Sequence, residues 1–169
     1  MNILICYHSE TGNTEKIAES IAKGLESFEV SVRPAKDIDP NELKNYDVVF
    51  LGSGIYAGGI GKSAVNLIKN TTSFPKNFVL FSTHANNDPR YYGKAFKKVE
   101  KIIKRAGSQI IGAFDCIGEN KNPNVVKLLL QSSPELGPAI ELSKGHPNDE
   151  DFENAKNFAK SVIEKLQNK

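Results

Sequence analysis

The sequence has no tryptophan, one methionine and only two cysteines among its 169 residues. It has no run that approaches the roughly 18 apolar residues of a membrane-spanning helix. Its first residues, MNILICYHS, lack the basic segment and the long apolar segment of a secretory signal. These absences exclude a disulfide-rich secreted scaffold, and we expect a cytoplasmic protein without stable membrane insertion.

The few cysteines and histidines show no spacing that is typical of redox or metal sites. Cys6 and Cys116 lie inside or at the end of apolar runs and form no C-x-x-C pair, so we expect structural thiols. The three histidines show no H-x-x-x-H spacing and no accompanying carboxylate or cysteine cluster, and we predict no metal site. No nucleophile elbow or carboxylate pair stands out, so we assign no catalytic side chain.

The formal net charge is +2, which is too near zero to indicate a nucleic-acid partner. Basic residues nevertheless recur at three- and four-residue spacing, opposite the apolar stripe of one predicted helix. A solvated helix face explains this pattern, and so does a docking patch for an acidic protein or a membrane surface. The residues are Lys94, Lys97, Lys98, Lys101, Lys104 and Arg105.

Hydrophobic residues make up 39% and charged residues 25% of the chain, and this composition and length suit one domain over residues 1–169. Residues 29–33 alternate apolar with polar side chains, which predicts a half-exposed edge strand. Continuous hydrophobicity predicts further strands that are covered on both faces, as in a parallel sheet between helices. Those strands are residues 3–6, 48–51, 78–81 and 110–114.

Helical patterns alternate with these strands. Apolar residues at three- and four-residue spacing predict helices near residues 17–25, 96–103 and 152–166, and a short helix is expected over 39–45. Parallel strands need right-handed crossovers, so we predict a doubly wound α/β sheet with helices on both faces. Residues 115–147 are rich in glycine and proline, and we predict an excursion that contains a small helix.

In such sheets ligands bind beyond the carboxyl ends of the strands. The loop after the first strand holds three hydroxyl side chains, Ser9, Thr11 and Thr14, around Gly12 at the start of a helix. Free backbone N–H groups and the helix dipole favour an anion there, so a phosphate fits. The alternative is that Ser9 or Thr11 only caps the helix.

The glycine-rich stretch GSGIYAGGIGKS, residues 52–63, ends like a nucleoside-triphosphate phosphate loop. Such a loop needs glycine five residues before Gly61, and that position is Tyr56. We therefore interpret Lys62 and Ser63 as the ordinary polar start of the next helix.

The pattern Ser-x-Thr-Gly-x-Thr over residues 9–14, directly after the first strand, resembles the FMN phosphate loop of flavodoxins. The predicted order of strands and helices is similar to theirs over nearly the whole chain, and the C-terminal GHPNDEDFENAKNFA is similar to the endings of flavodoxin-domain proteins. The resemblance implies FMN as cofactor and a flavodoxin-like five-stranded parallel sheet of order 2-1-3-4-5. Flavodoxins are typically acidic, which this chain is not, so its redox partners stay open.

The resemblance also implies roles for three loops. The first loop would hold the phosphate, with backbone N–H groups contributing at Glu10 and Asn13. The second would pack Tyr56 on the flavin, followed by an Ala57-Gly58 peptide that changes orientation with redox state. The third would approach the pyrimidine edge of the ring. The predicted FMN-binding residues are Ser9, Glu10, Thr11, Gly12, Asn13, Thr14, Ser53, Gly54, Ile55, Tyr56, Ala57, Gly58, Gly59, Thr83, His84, Ala85 and Asn86.

One feature departs from the family pattern. Many flavodoxins stack a third-loop tyrosine on the outer flavin face, but the matching position here is near Asp88 or Pro89. Tyr91, Tyr92 and an open outer face stay as alternatives.

The resemblance leads to a first functional hypothesis, an FMN-binding carrier that shuttles electrons between redox partner proteins. A second is an FMN-dependent oxidoreductase acting on a quinone or a porphyrinogen, since flavodoxin-like protoporphyrinogen oxidases are similar in the second loop. A third is a non-catalytic α/β domain whose loops bind another phosphate ligand or a partner protein.

Overall fold

The computed structural model describes residues 1–168. Within that range the chain forms six strands, which we number in chain order. They are β1 (Asn2–His8), β2 (Glu29–Pro34), β3 (Val48–Tyr56), β4 (Gly59–Ile60), β5 (Asn77–His84) and β6 (Gln109–Ile117).

The same range contains seven α-helices and three short 3-10 segments. The helices are α1 (Asn13–Lys23), α2 (Lys62–Asn70), α3 (Pro89–Tyr92), α4 (Lys97–Arg105), α5 (Pro123–Ser132), α6 (Gly137–Ser143) and α7 (Asp149–Gln167). The 3-10 segments are Ala35–Asp37, Pro40–Asn45 and Pro134–Leu136. The second of them occupies the place of the short helix expected over residues 39–45. None of the helices in residues 1–168 is long and apolar enough to cross a membrane.

The strands form a sheet in the order β2-β1-β3-β5-β6, and these five run parallel. This confirms the predicted order 2-1-3-4-5, because β4 lies outside the path and pairs only with β3. β4 is antiparallel to the end of β3, with Tyr56 opposite Gly59. The sequence prediction did not include this hairpin.

The apolar strands are buried on both faces, as their continuous hydrophobicity predicts. Ile3 and Ile5 of β1 pack towards α1 and α7, whereas Leu4 and Cys6 pack towards α2 and α4. Side chains alternate across a strand, so each central strand supplies both hydrophobic layers. The edge strand β2 is only partly buried, also as predicted.

Both cysteines are buried, in agreement with the predicted structural thiols. Burial raises the pKa of Cys6 to about 12 and also raises the pKa of Cys116. The two thiols therefore stay protonated at neutral pH.

The excursion over residues 115–147 differs from the prediction in two ways. β6 continues to Ile117, so the strand extends into it. Its remainder forms two helices, α5 and α6, joined by a 3-10 turn, where the sequence predicted one small helix. The chain then enters α7 through a capping box in which Asn148 and Asp151 exchange side-chain and backbone hydrogen bonds.

Candidate functional site

Three loops meet at the carboxyl edge of the sheet because β1, β3 and β5 are neighbours. His8 at the end of β1 lies opposite Ser53, and Gly54 lies opposite Thr83. This arrangement brings the predicted first, second and third loops side by side.

The first loop turns into α1 at Gly12, whose φ of +84° is one that glycine adopts at low cost. The Gly12 N–H donates to Ser9 Oγ at 3.1 Å. The first hydrogen bond of the helix runs from Lys16 N–H to Gly12 C=O, so the N–H groups before it point out of the helix start. The N-cap residue of α1 is Gly12, which has no capping side chain, and Ser9 bonds the N–H of Gly12. The phosphate-binding role of Ser9 and Thr11 stays a prediction.

The hydroxyl of Thr14 does not face this loop. It lies 2.9 Å from the Thr83 hydroxyl, and the Thr14 side chain is almost completely buried. Of the three hydroxyls expected around Gly12, those of Ser9 and Thr11 therefore lie on the loop. The third, that of Thr14, joins α1 to β5. Asn13 is also held, since its side-chain amide donates to the Glu119 carbonyl at 2.8 Å.

The second loop is a two-residue hairpin turn between β3 and β4. Both of its central residues have positive φ, +48° at Ala57 and +78° at Gly58, as a type I′ turn requires. Gly59 has no positive φ and lies in β4. Behind the turn, the buried Ser53 hydroxyl accepts a hydrogen bond from Gly61 N–H at 2.8 Å and fixes the entry to α2.

Tyr56 joins the second loop to the first. Its hydroxyl accepts a hydrogen bond from Glu10 N–H at 3.1 Å, and its ring packs edge-on against His8 with centroids 5.5 Å apart. His8 in turn contacts Ser63 Oγ at 2.7 Å and lies where a side chain at Gly61 would have to be. The Gly61-Lys62-Ser63 sequence therefore serves packing against His8 and the start of α2, in agreement with our rejection of a nucleotide loop.

His84 is the central polar residue of the third loop region. Its ring stacks on Tyr92 with a centroid distance of 3.8 Å and an interplanar angle of 8°. Its Nε2 lies 3.2 Å from Asp115 Oδ2. This hydrogen bond lowers the pKa of the Asp115 carboxyl, which stays ionised at neutral pH.

The second ring nitrogen of His84, Nδ1, differs from Nε2 in its contacts. His84 is only 5% exposed, and its Nδ1 has no hydrogen-bond partner among residues 1–168. An ionised Asp115 only accepts hydrogen bonds, so Nε2 is the donor of that pair. In the neutral imidazole Nδ1 is then a buried acceptor without a partner among residues 1–168.

Two cavities open beside these loops. The larger has a volume of about 320 Å³, and a narrower one of about 60 Å³ shares several of its walls and reaches towards the first loop. The larger cavity is lined from the second and third loops by Ile55, Tyr56, Ala57, Gly58, His84, Ala85, Asn86, Tyr91 and Tyr92. The narrower cavity is lined by Thr11, Asn13, Gly54, Ile55, Tyr56, Thr83, His84, Ala85, Gly118, Glu119 and Asn120.

The far wall of the larger cavity comes from the excursion. Its residues were not among the predicted site residues, although residues 125–130, VVKLLL, form a short apolar patch in the sequence. They are Asn120, Val125, Leu129, Leu136, Ala139 and Ile140. Aliphatic side chains of this wall therefore face the second and third loops. Tyr91 and Tyr92 both line the same cavity.

The structure brings most, but not all, of the predicted site residues to these cavities. Six of them do not line either one. Ser9, Glu10, Gly12 and Thr14 belong to the first loop and the start of α1, Ser53 is buried behind the hairpin, and Gly59 lies in β4.

Comparison with known proteins agrees with this arrangement of loops and strands. The family model of the flavodoxin domain matches residues 4–160. The chain belongs to the flavodoxin family. An uncharacterised protein of Methanocaldococcus jannaschii is 33% identical to it over 164 residues, which cover 96% of this chain and 99% of that protein.

This flavodoxin-family chain is also similar to a second protein sequence and to a solved structure. The flavodoxin-like domain-containing protein BilS of Clostridioides difficile is 31% identical, with 96% of this chain and 97% of that protein covered. Oxidised flavodoxin 1 from Bacillus cereus has a TM-score of 0.70 at 16% identity, with 97% of this chain and 98% of that chain covered. The second likeness concerns the fold alone.

Proposed function

We propose that this flavodoxin-family chain binds FMN across its three loops and carries electrons between redox proteins. The observation that carries the proposal is that the cavity of about 320 Å³ and the narrower cavity share walls, among them Tyr56 and His84, and that the narrower one extends to Thr11 of the first loop. A phosphate, a chain and a flat ring system require such a sequence of spaces. When bound, FMN supplies the redox chemistry, and the protein supplies position and electrostatics.

The first loop offers a phosphate mainly neutral donors. The backbone N–H groups at the start of α1 lie at the positive end of the helix dipole, and Thr11 adds an exposed hydroxyl. The N–H groups of Glu10 and Gly12 already donate to Tyr56 and Ser9 in this structure, so the donors expected first are those of the helix start. No basic residue precedes Lys16 in the loop. The site therefore suits a phosphate monoester held by hydrogen bonds.

His84 supports the placement of a flavin in the larger cavity. Its buried acceptor nitrogen needs a donor, because an unpaired buried polar atom costs about 1–3 kcal/mol. The pyrimidine edge of a flavin carries an imide N–H, which is a donor of the required kind. His84, which lines both cavities, would hold the ring edge of bound FMN by accepting that hydrogen bond.

The wall formed by α5 and α6 favours a carrier over an oxidoreductase. A quinone or a porphyrinogen has to lie beside the flavin ring to react with it. The cavity volume of about 320 Å³ is at the lower end of the roughly 300–1,000 Å³ typical of small-molecule sites. Leu129 and Ile140 line this cavity opposite the loops and limit the space beside a bound ring. Single electrons pass to a docked protein without such a contact.

The test is reconstitution of the purified chain with FMN, followed by visible absorption and stepwise anaerobic reduction. We expect stoichiometric uptake, reduction in separate one-electron stages and negligible turnover with quinones. Absence of flavin bands after reconstitution would contradict FMN binding and favour the third hypothesis, another phosphate ligand or a partner protein. Rapid turnover with a quinone or a porphyrinogen would instead support the oxidoreductase.

An added negative charge separates phosphate binding from ring binding. Thr11→Glu puts a carboxylate where the phosphate is proposed to lie, and we expect FMN affinity to fall by about tenfold or more, equivalent to 1.4 kcal/mol. Riboflavin, which lacks the phosphate, should bind this variant and the parent chain equally. Thr72→Glu adds the same charge at an exposed position outside the loops and is the control.

A further inference from the structure

The segment that contains α4 has a concentration of positive charge. Residues 90–105 contain seven basic side chains and one acidic one, a net charge of +6. The whole chain carries +2, so the other residues together carry −4. The molecule is therefore strongly polarised although its total charge is small.

The basic side chains form an exposed face without matching carboxylates. Lys94, Lys97, Lys98 and Lys101 are all exposed, and in the described chain none of them has an acidic partner within 4 Å. The one ion pair of α4 joins Lys104 to Glu100 at 3.9 Å. We call the set of residues 94, 97, 98 and 101 the basic face.

Helix stability does not account for the position of these charges. The α4 helix begins at Lys97, so Lys97 and Lys98 lie in its first turn together with one acidic residue, Glu100, and the positive end of the helix dipole opposes the two lysines. A structural role would place lysine in the last turn, where Lys104 and Arg105 lie. The two lysines at the start of the helix thus lie at the end that is unfavourable for positive charge, and their exposed side chains are not needed there for packing.

The basic face begins at the proposed flavin site. α4 connects two parallel strands, so its first turn lies at the carboxyl edge of the sheet, next to the loops. Tyr92 lines the large cavity and also a small neighbouring cavity that Phe96 and Glu100 line. Tyr91, 49% exposed, lies at the same cavity, three residues before Lys94.

We propose that the basic face of α4 docks an acidic redox protein and orients the redox centre of that protein towards the cavity at Tyr91. This inference rests on the proposed electron-transfer function. The four lysines of the basic face attract an acidic partner over a range of about one Debye length and speed its association. An exposed aromatic residue beside a charged rim is the composition typical of a protein interface.

A membrane surface fits the basic face less well. A helix that lies on a bilayer inserts an apolar face into it. The apolar residues of α4, Val99 and Ile103, are buried against the sheet instead. The charged side alone is left for contacts, which suits a hydrophilic, acidic protein surface.

The test measures binding of two probe proteins to the full chain, before and after FMN is added. The acidic probe is a plant-type [2Fe–2S] ferredoxin, and the basic probe is a cytochrome c. The variant Lys94→Gln/Lys97→Gln/Lys98→Gln removes three charges from the basic face. Its control, Lys23→Gln/Lys160→Gln/Lys165→Gln, removes three exposed charges from α1 and α7 on the other side of the sheet.

We expect the ferredoxin to bind at low salt and to bind at least about tenfold more weakly to the α4 variant, with less than about twofold change in the control. Equal effects of both variants, or tighter binding of cytochrome c, would overturn the proposal. The proposal would also be overturned if the chain bound vesicles of anionic phospholipid but not ferredoxin, and if the α4 variant no longer bound those vesicles. Because binding is measured without FMN as well, a chain that fails to take up FMN contradicts the proposed function and leaves the docking result intact.

Discussion

At the scale of single residues, Ala57 has a backbone conformation that favours glycine. Its φ of +48° costs an L-residue about 1–2 kcal/mol. Ala57→Gly removes this strain but adds conformational freedom to the unfolded chain, so we expect a net gain of about 0.5–1 kcal/mol in the free energy of unfolding. Urea denaturation of the two proteins measures the difference.

The neighbouring residue is the matched control. Gly58 has a φ of +78°, so Gly58→Ala introduces the strain that Ala57→Gly removes, and we expect a loss of about 1–2 kcal/mol. If Ala57→Gly were to lower stability as well, the hairpin would not adopt a type I′ turn in solution.

His84 allows its two ring nitrogens to be separated by substitution. An asparagine amide at position 84 reaches approximately the place of Nδ1, and a glutamine amide reaches approximately that of Nε2. We therefore expect His84→Asn to keep FMN affinity within about threefold, and His84→Gln to weaken it by about tenfold because the acceptor in the cavity is lost. Flavin fluorescence titration measures both constants.

The reverse order of the two variants would show that the contact of His84 with Asp115 matters more than its free nitrogen.

The contact of His84 with Asp115 has a defined pH dependence. The pKa of Asp115 is lowered by its hydrogen bond to His84, so the contribution of the ionised carboxylate is complete above its ordinary pKa of about 3.9. It is lost only as pH falls through the lowered value.

At the scale of secondary-structure elements, α5 is unusual because it is apolar without being buried. It contains five aliphatic residues, yet none of its ten residues, all within the described part of the chain, is buried. Leu128 is 64% exposed. Short helices need packing for stability, and the packing surface available to α5 is the cavity that Val125 and Leu129 line.

We therefore predict that FMN stabilises α5 and α6. Amide hydrogen exchange should slow over residues 123–143 when FMN is added, by about tenfold or more, because a ring in the cavity gives these helices a packing partner. α7 is held by the core and is the internal control, with no change expected. Equal protection of residues 123–143 with and without FMN would mean that the wall is independent of the ligand.

At the scale of the whole molecule, stability depends on the two hydrophobic layers on either side of the sheet. Phe50 in the central strand β3 is fully buried. Phe50→Ala leaves a cavity in a layer that α1 and α7 cover, and we expect a loss of about 3–5 kcal/mol in the free energy of unfolding.

Leu128→Ala is the control for this core substitution. Its side chain is exposed, so we expect a change within about 0.5 kcal/mol. Thermal and urea unfolding measure both. A comparable loss in the two variants would show that α5 contributes to the cooperative core, contrary to its exposure.

The fold was largely predictable because its signals are local or follow general rules. Continuous apolar runs mark strands covered on both faces, and crossovers between parallel strands are right-handed. The strand order followed from the resemblance of residues 9–14 to the flavodoxin phosphate loop, and the structure agrees. Strand ends were placed too early, since β3 continues to Tyr56 through residues that are not strongly apolar.

The candidate site was predictable in its loops and not in its contacts. Positions 12, 56–58 and 84 follow the predicted strands, so the sequence alone placed them at one edge of the sheet, where the structure has Tyr56 and His84 as the last residues of β3 and β5. The pairing of Thr14 with Thr83 and of His84 with Asp115 joins residues 69 and 31 positions apart. No spacing pattern indicates such pairs, because they depend on which strands become neighbours.

The sequence by itself determined the sheet, its helical layers and the loops at the carboxyl edge, because periodicity, glycine positions and helix starts act over a few residues. The tertiary structure decided what surrounds the ring cavity. Only folding brings α5 and α6 over the loops, leaves Nδ1 of His84 unpaired among residues 1–168 and puts the basic face of α4 beside Tyr91. Those features depend on packing between distant segments, which local patterns do not encode.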